Sequence, residues 1–327
     1  MGFGPQFADL DGDGQLDMLS GSYSPGDIFL FRGLGQGAYA PSVKLPGSDG
    51  KPARAGLASA IALADWDGDG DLDLVVGNIQ GEVWLLPNEG KHEGLPRFGA
   101  RQSLGISRAN GASGDAGPSV VDWDGDHVID LLVGDADGSV HFYKGANEQG
   151  RHVLHRAEPL LPGARPKDDW KPVETFRDEK TGALEPKIAR SQERAKPSAC
   201  DWNGDGKLDL LVGDFVSMQG PEPTLSEAEK AEKKQLEKEY EQVSSRYSEA
   251  YQRIQSKLDQ ELGPQRFDED GEDSLEQAAR HTRQGELLNA DADYKAAAER
   301  LGQISKRLQQ LRAPYLTHGY VWVYLAK

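Results

Sequence analysis

One nine-residue pattern occurs four times along the chain: Asp9-Leu-Asp-Gly-Asp-Gly-Gln-Leu-Asp17, Asp65-Trp-Asp-Gly-Asp-Gly-Asp-Leu-Asp73, Asp122-Trp-Asp-Gly-Asp-His-Val-Ile-Asp130 and Asp201-Trp-Asn-Gly-Asp-Gly-Lys-Leu-Asp209. The copies start 56, 57 and 79 residues apart, a spacing that belongs to propellers and other repeat arrays and not to one isolated site. A fold for this chain must therefore repeat one supersecondary unit. The four segments also hold 16 of the 54 acidic residues. Three or more acids within nine residues repel one another unless a cation sits among them.

Within each copy, side-chain oxygens recur at positions 1, 3, 5 and 9. They belong to Asp9, Asp11, Asp13 and Asp17; to Asp65, Asp67, Asp69 and Asp73; to Asp122, Asp124, Asp126 and Asp130; and to Asp201, Asn203, Asp205 and Asp209. Position 7 offers its carbonyl, from Gln15, Asp71, Val128 and Lys207. Hard Ca²⁺ takes six to eight such oxygens at about 2.3–2.6 Å, and short side chains on alternate residues of a tight loop can converge on one ion. About four ions are expected. Asp-Gly pairs are also hairpin-turn chemistry, but a turn needs only one such pair. The third copy is the weakest, because His127 replaces the position-6 glycine and a left-handed backbone there carries a steric penalty. The loops are not EF-hands: position 12, where a bidentate Glu belongs, is Ser20, Val76, Val133 and Val212.

Each loop runs into a β-prone stretch closed by glycine: Met18-Leu-Ser-Gly21, Leu74-Val-Val-Gly77, Leu131-Leu-Val-Gly134 and Leu210-Leu-Val-Gly213. A third strand follows as Ile28–Phe31, Val83–Leu86 and Val140–Tyr143, and its fourth counterpart, Val321–Tyr324, stands about a hundred residues downstream. An apolar pair precedes each loop: Phe7-Ala8, Leu63-Ala64, Val120-Val121 and Ala199-Cys200. With an outer segment such as Arg97–Leu104, each unit reads as a propeller blade. The Asp-x-Asp-Gly-Asp-Gly-x-x-Asp loop followed by Leu-Leu-Val-Gly resembles the FG-GAP/VCBS repeat, the blade also found in integrin α-subunits. That resemblance covers about residues 3 to 218 and 315 to 327, and it implies structural calcium at the positions named above. Members are often seven-bladed, whereas this chain has material for about four blades.

The expected fold is mainly β: a propeller of about four blades with an inserted antiparallel α-helical coiled-coil hairpin. Blades fill 1–218, the hairpin 219–314, and 315–327 returns as a strand of the fourth blade. The insert is rich in Glu, Lys, Gln, Ala and Leu, with seams at Leu236, Tyr240, Val243, Tyr247, Ile254, Leu258 and Leu262, and at Ala297, Leu301, Ile304, Leu308 and Leu311. Thr224-Leu-Ser-Glu227 and Ser274-Leu-Glu-Gln277 have capping-box spacing, so two helices of about 38 residues are expected. The acidic tip Asp268–Asp273 reads as a solvated turn.

A net charge of -17 argues against nucleic acid as a partner. No apolar run approaches the roughly 18 residues that cross a bilayer, and Met1-Gly-Phe-Gly-Pro carries no signal-peptide segments. Setting aside the insert and the sixteen loop aspartates leaves 19 acids against 22 bases, so the acidity is chiefly that of the metal loops. Catalytic constellations are lacking: no Gly-x-Ser-x-Gly elbow, no phosphate-cradling glycine loop and no His-Glu-x-x-His. No catalytic residue is assigned. Cys200 reads as a small buried residue, Trp66, Trp123 and Trp202 as packing between blades, and His141 and His318 as satisfied strand residues. The glycine-rich stretch Ser107–Gly117 is a location for recognition.

The resulting expectation is a non-catalytic calcium-binding module for binding, adhesion or scaffolding. Its partner would be a protein or a glycan, with the hairpin available for coiled-coil-mediated assembly. A lectin is the alternative and a calcium-dependent polysaccharide lyase the third choice. Loops of this kind in extracellular modules bind at about 10⁻⁴–10⁻³ M, which places the chain outside the cytoplasm: extracellular, periplasmic or on the cell surface.

Overall fold

The computed structural model describes residues 4–92, 94–107, 112–164, 173–263 and 275–326. The acidic tip, the capping box at Ser274 and positions 108–111 of the glycine-rich stretch lie outside them. The chain divides into two compact units. One comprises 1–171, 188–216 and 317–327, and the other 172–187 and 217–316.

The first unit is built from antiparallel sheets that follow the repeat. The first sheet orders Gln6–Ala8, Asp17–Ser20, Phe29–Phe31 and Val43–Lys44 as neighbours. In the second, Ala60–Ala64, Asp73–Gly77, Val83–Leu86 and Gln102–Ile106 do the same, and in the third, Gly117–Val121, Asp130–Gly134, Val140–Glu148 and Arg151–Leu161. In the fourth, Glu193–Cys200 pairs with Asp209–Gln219, and Val321–Tyr324 lies on the other side with Leu210 opposite Tyr324 and Gly213 opposite Val321. Strands a hundred residues apart thus occupy adjacent places. The outer segment of the second sheet divides in two: Leu95–Phe98 turns back onto Asn88–His92, and only Gln102–Ile106 edges the sheet.

Asp73–Gly77 and Asp130–Gly134 are buried at every position, with no in–out alternation. This is the signature of a sheet covered on both faces. Leu19 and Leu30 pack with Leu74 and Val76 between the first two sheets. Val75 and Val83 pack with Leu131 and Val133 between the next two. Leu132 and Val140 meet Leu210 and Val212 between the third and fourth. The glycine that closes each strand serves this stacking: a Cβ on Gly77 would stand 2.3 Å from the Ala116 carbonyl oxygen, and one on Gly134 2.1 Å from that of Ala195.

In the second unit, α1 spans Glu227–Leu262, α2 Leu275–Ala290 and α3 Ala292–Gln310. The capping box at α1 is two residues later than expected: the Ser226 hydroxyl accepts from the Glu229 amide, and the Glu229 carboxylate accepts from the Ser226 amide at 2.8 Å. Thr224 and Ser226 both have a Glu three residues on, and the helix starts from the second. The return arm is also not one long helix. At Asp291 the side chain accepts the Tyr294 amide at 2.8 Å, which starts a new helix where an aspartate competes with the helical ladder. The expected seams are largely inside, with Val243, Ile304 and Leu308 in one cluster and Ile254, Leu258 and Leu287 in another. Tyr240 and Leu262 are exposed instead. Ion pairs of Glu232 with Arg307, Glu239 with Arg300 and Glu261 with Arg283 set the arms antiparallel. No described helix is long and apolar enough to cross a membrane.

Candidate metal loops

All four repeats fold into one loop design. The position-1 carboxylate collects the amides of the turn: Asp9 accepts from Gly12 at 2.8 Å and Gly14 at 2.9 Å, Asp122 from Gly125 at 2.8 Å and His127 at 3.0 Å, and Asp201 from Gly204 at 2.7 Å and Gly206 at 2.9 Å. Asp65 accepts from Gly70 at 3.1 Å. The position-5 carboxylates of Asp13, Asp69, Asp126 and Asp205 each take the amide of position 7, from Gln15, Asp71, Val128 and Lys207 at 2.8–3.0 Å. His127 adopts the left-handed conformation its position demands, with φ 67°.

Position 9 has a role the sequence did not disclose. Asp17, Asp73, Asp130 and Asp209 are all fully buried. In each, Oδ2 accepts the amide of position 2, from Leu10, Trp66, Trp123 and Trp202 at 2.8–3.1 Å. Oδ1 accepts an amide in or just beyond the third strand, from Gly33, Asn88, Gly145 and Ala326 at 2.7–2.8 Å. The residue therefore pins the loop to the sheet besides contributing charge. Asp stands at positions 1, 5 and 9 in all four copies, so the sequence does not set this pin apart from the candidate ligands.

Carboxylate oxygens converge to within 4.8 Å of one another in three loops: Asp9, Asp11 and Asp13; Asp65, Asp67 and Asp73; Asp122, Asp124 and Asp130. These groups could hold metal ions. In the fourth loop Asn203 stands at position 3, and its amide nitrogen donates to Asp205 at 3.2 Å. In the second loop, Oδ1 of Asp65 is buried without a hydrogen-bond partner among the described residues. Burial, together with the charges of Asp67 and Asp69, pushes the Asp73 carboxyl up despite the two amides it accepts.

The first and third loops already contain a basic side chain. Arg32 pairs with Asp11, and Lys144 pairs with Asp124 and, at 2.7 Å, with Asp126. The hydrogen bond from Lys144 holds the Asp126 carboxyl below the usual carboxylate range. Arg32 and Lys144 hold equivalent positions, Arg32 directly after Phe29–Phe31 and Lys144 within Val140–Glu148; the same place holds Pro87 and Leu325 in the second and fourth sheets. That alternation is visible in the sequence once the third strands are aligned.

Two further expectations need correction. Cys200 is exposed, not buried, and Trp202 is 62% exposed whereas its counterpart Trp66 is 6% exposed. Trp123 packs between sheets as foreseen. His141 is satisfied by the Ser139 hydroxyl at 3.1 Å. Away from the loops, a cavity of about 670 Å³ in the first unit is lined by Ala58, Asp115 and Arg194, three non-glycine residues with φ of 52–55° at equivalent places, the first two just before their inner strands and Arg194 at the start of Glu193–Cys200. Asp115, from the glycine-rich stretch, pairs there with Arg194 at 3.2 Å and Lys196 at 3.4 Å.

A sequence family described as FG-GAP-like repeat matches residues 9–76 and 65–133, so the chain carries FG-GAP repeats. The match spans the first three Asp loops, and the fourth copy follows outside it. No curated protein matches the chain. A solved structure concerned with specific recognition of non-reducing terminal N-acetylglucosamine by an Agrocybe aegerita lectin is 19% identical, with a TM-score of 0.34. The alignment covers 65% of this chain and 48% of that one, so the chain spans about half the length of the lectin it matches.

Proposed function

We propose that this chain is a calcium-stabilised, propeller-type binding module without catalytic activity, working outside the cytoplasm with a protein partner. The observation that carries the reading is the repeated acidic loop, and above all the buried Oδ1 of Asp65, unpartnered among the described residues, in a cluster with Asp67 and Asp73. Side chains at positions 1, 3, 5 and 9 and the carbonyls of Gln15, Asp71, Val128 and Lys207 would hold the ions, whose charge neutralises acids that otherwise repel. The partner-facing parts are the cavity at Asp115 and Arg194 and the helical arm, whose apolar seam has coiled-coil character.

An ion at ten times its dissociation constant adds about 1.4 kcal/mol, so four would contribute several kcal/mol. With unfolding entropies of ordinary size, chelation by EGTA should lower the melting temperature by roughly 10 °C, and titration calorimetry should register Ca²⁺ uptake. An unchanged melt in EGTA would refute the reading.

A further inference from the structure

Ala58, Asp115 and Arg194 stand two residues before Ala60, Gly117 and Lys196, which hold one and the same place in the inner strands of the second, third and fourth sheets. Their left-handed backbone is architectural. Each amide donates to a carbonyl in the turn of the sheet before, Ala58 to Tyr23 at 2.8 Å, Asp115 to Ile79 at 3.0 Å and Arg194 to Ala136 at 3.0 Å. Glycine would adopt this conformation without strain, so a long side chain here is held against a steric penalty. Strain of this kind gathers where side chains are positioned for binding. At 194 the side chain is an arginine. Its Nε lies 3.2 Å from Oδ2 of Asp115, and its guanidinium carbon stands 5.7 Å from the Phe215 ring centroid. Lys196 brings a second cation, donating to the Asp115 carbonyl at 2.8 Å and lying 3.4 Å from its carboxylate. The lysine stem runs over Gly117, where a Cβ would stand 2.4 Å from its Cδ, so the glycine of one sheet makes the room that the lysine of the next fills. Two cations thus meet one carboxylate. Asp214, another carboxylate on the wall, accepts from the amides of Gln192 and Tyr320 at 3.0 Å and from the Trp322 indole at 2.9 Å, which spread its charge over three donors. Ile61, Ile79, Pro118, Pro197 and Phe215 make the wall around the cluster apolar.

We infer that this wall takes an acidic side chain, Asp or Glu flanked by apolar residues, from a short segment of a partner protein. The incoming carboxylate joins Arg194 and Lys196 across from Asp115, so that two cations then face two anions, and charge-assisted hydrogen bonds to a guanidinium are among the stronger ones a protein makes. The flanking apolar residues cover Ile61, Ile79 and Pro118, which a small free acid would leave in water. A basic segment would meet like charge at the cluster. The cavity of about 670 Å³ lies within the range of about 300–1,000 Å³ that suits small ligands and single side chains with their neighbours. The inference rests on the reading of this cavity as partner-facing and is independent of calcium. Its charged groups come from the segments leading into the third and fourth sheets, so the cluster stands whatever adjoins the first sheet or the fourth.

The test uses three end-blocked tripeptides, Phe-Glu-Phe, Phe-Gln-Phe and Phe-Lys-Phe, titrated against the full chain with Ca²⁺ present and followed by saturation-transfer NMR. The glutamate peptide should bind about tenfold more tightly than the glutamine peptide, and the lysine peptide should not bind. Arg194→Gly should abolish the preference for glutamate while the chain melts close to wild type, since relief of the left-handed strain offsets the lost ion pair. Asp115→Asn removes the competing carboxylate and should tighten the glutamate peptide several-fold, an effect that a merely structural ion cluster would not produce. Equal binding of the glutamate and glutamine peptides, a preference for the lysine peptide, or weaker glutamate binding in Asp115→Asn would overturn the inference. So would a glutamate preference that persists in Arg194→Gly, or hydrocinnamate that binds as tightly as the glutamate peptide and so assigns the wall to small free acids. A chain that calcium stabilises but that binds none of the peptides refutes this inference and leaves the calcium reading standing.

Discussion

The second and third loops are the same nine-residue design in adjacent sheets, yet they manage their charge in opposite ways. In the second, five aspartates stand without a basic partner among the described residues, Oδ1 of Asp65 is buried with no hydrogen-bond partner among them, and the Asp73 carboxyl is pushed up. In the third, Lys144 reaches from within Val140–Glu148 to Asp124 and Asp126 and holds the latter carboxyl down. The first loop sides with the third through Arg32, and the fourth, beside Leu325, sides with the second. A tethered cation is always present at full effective concentration, whereas a free one must be drawn from solution. Loops of the Arg32 and Lys144 type therefore lose less when metal is withdrawn and gain less when it returns.

The largest break in this comparison comes from removing the pin instead of a ligand. Asp73→Ala would leave the buried amides of Trp66 and Asn88 unsatisfied and should cost about 3 kcal/mol in EGTA as well as in calcium. Asp69→Ala, which removes an exposed carboxylate and its one hydrogen bond from the Asp71 amide, should act chiefly in calcium; thermal melts in both buffers separate the two roles. Next in size is the exchange of tethered cations. Lys144→Met should tighten calcium binding at the third loop a few-fold, and Leu325→Lys should weaken the fourth by a similar factor, as read by calorimetry of single-loop changes.

A smaller effect is expected at His127, whose side chain is 95% exposed. His127→Gly relieves the left-handed strain but frees the unfolded chain, so the net gain should not exceed about 1 kcal/mol in the melt. Smallest is a pH effect in the second loop. A carboxyl raised above its unfolded value stabilises the fold while protonated and loses that contribution as pH rises through the folded value. In EGTA, Asp73 should therefore make the fold slightly less stable at pH 7 than near pH 5, an increment that Asp73→Asn removes.

Much of this organisation was legible in the residues. The loop period, the glycine-closed strands and the displaced third strand at Val321–Tyr324 all follow from local patterns, because strand order within a blade is a meander and each blade is written contiguously or with one insertion. Helix content was legible for the same reason, since the apolar spacing of Val243, Ile254 and Leu258 is local. The break at Asp291 was less so: an aspartate caps or merely decorates a helix depending on which amides it can reach, and the sequence offers both.

What the sequence by itself determined is the repeat, the set of oxygens at positions 1, 3, 5 and 9, and the strand that each loop feeds, since all depend on residues within one nine-residue span or the few that follow. Tertiary structure alone decided which carboxylate is a pin, which loop already holds a cation, and which apolar faces remain uncovered. Those depend on groups brought in from elsewhere: an amide beyond the third strand, Arg32 or Lys144 across a sheet edge, a neighbouring sheet over Trp66 and none over Trp202. Identical motifs acquire different duties because charge and burial are set by what stands a few ångströms away in space, and that distance is not written in the motif.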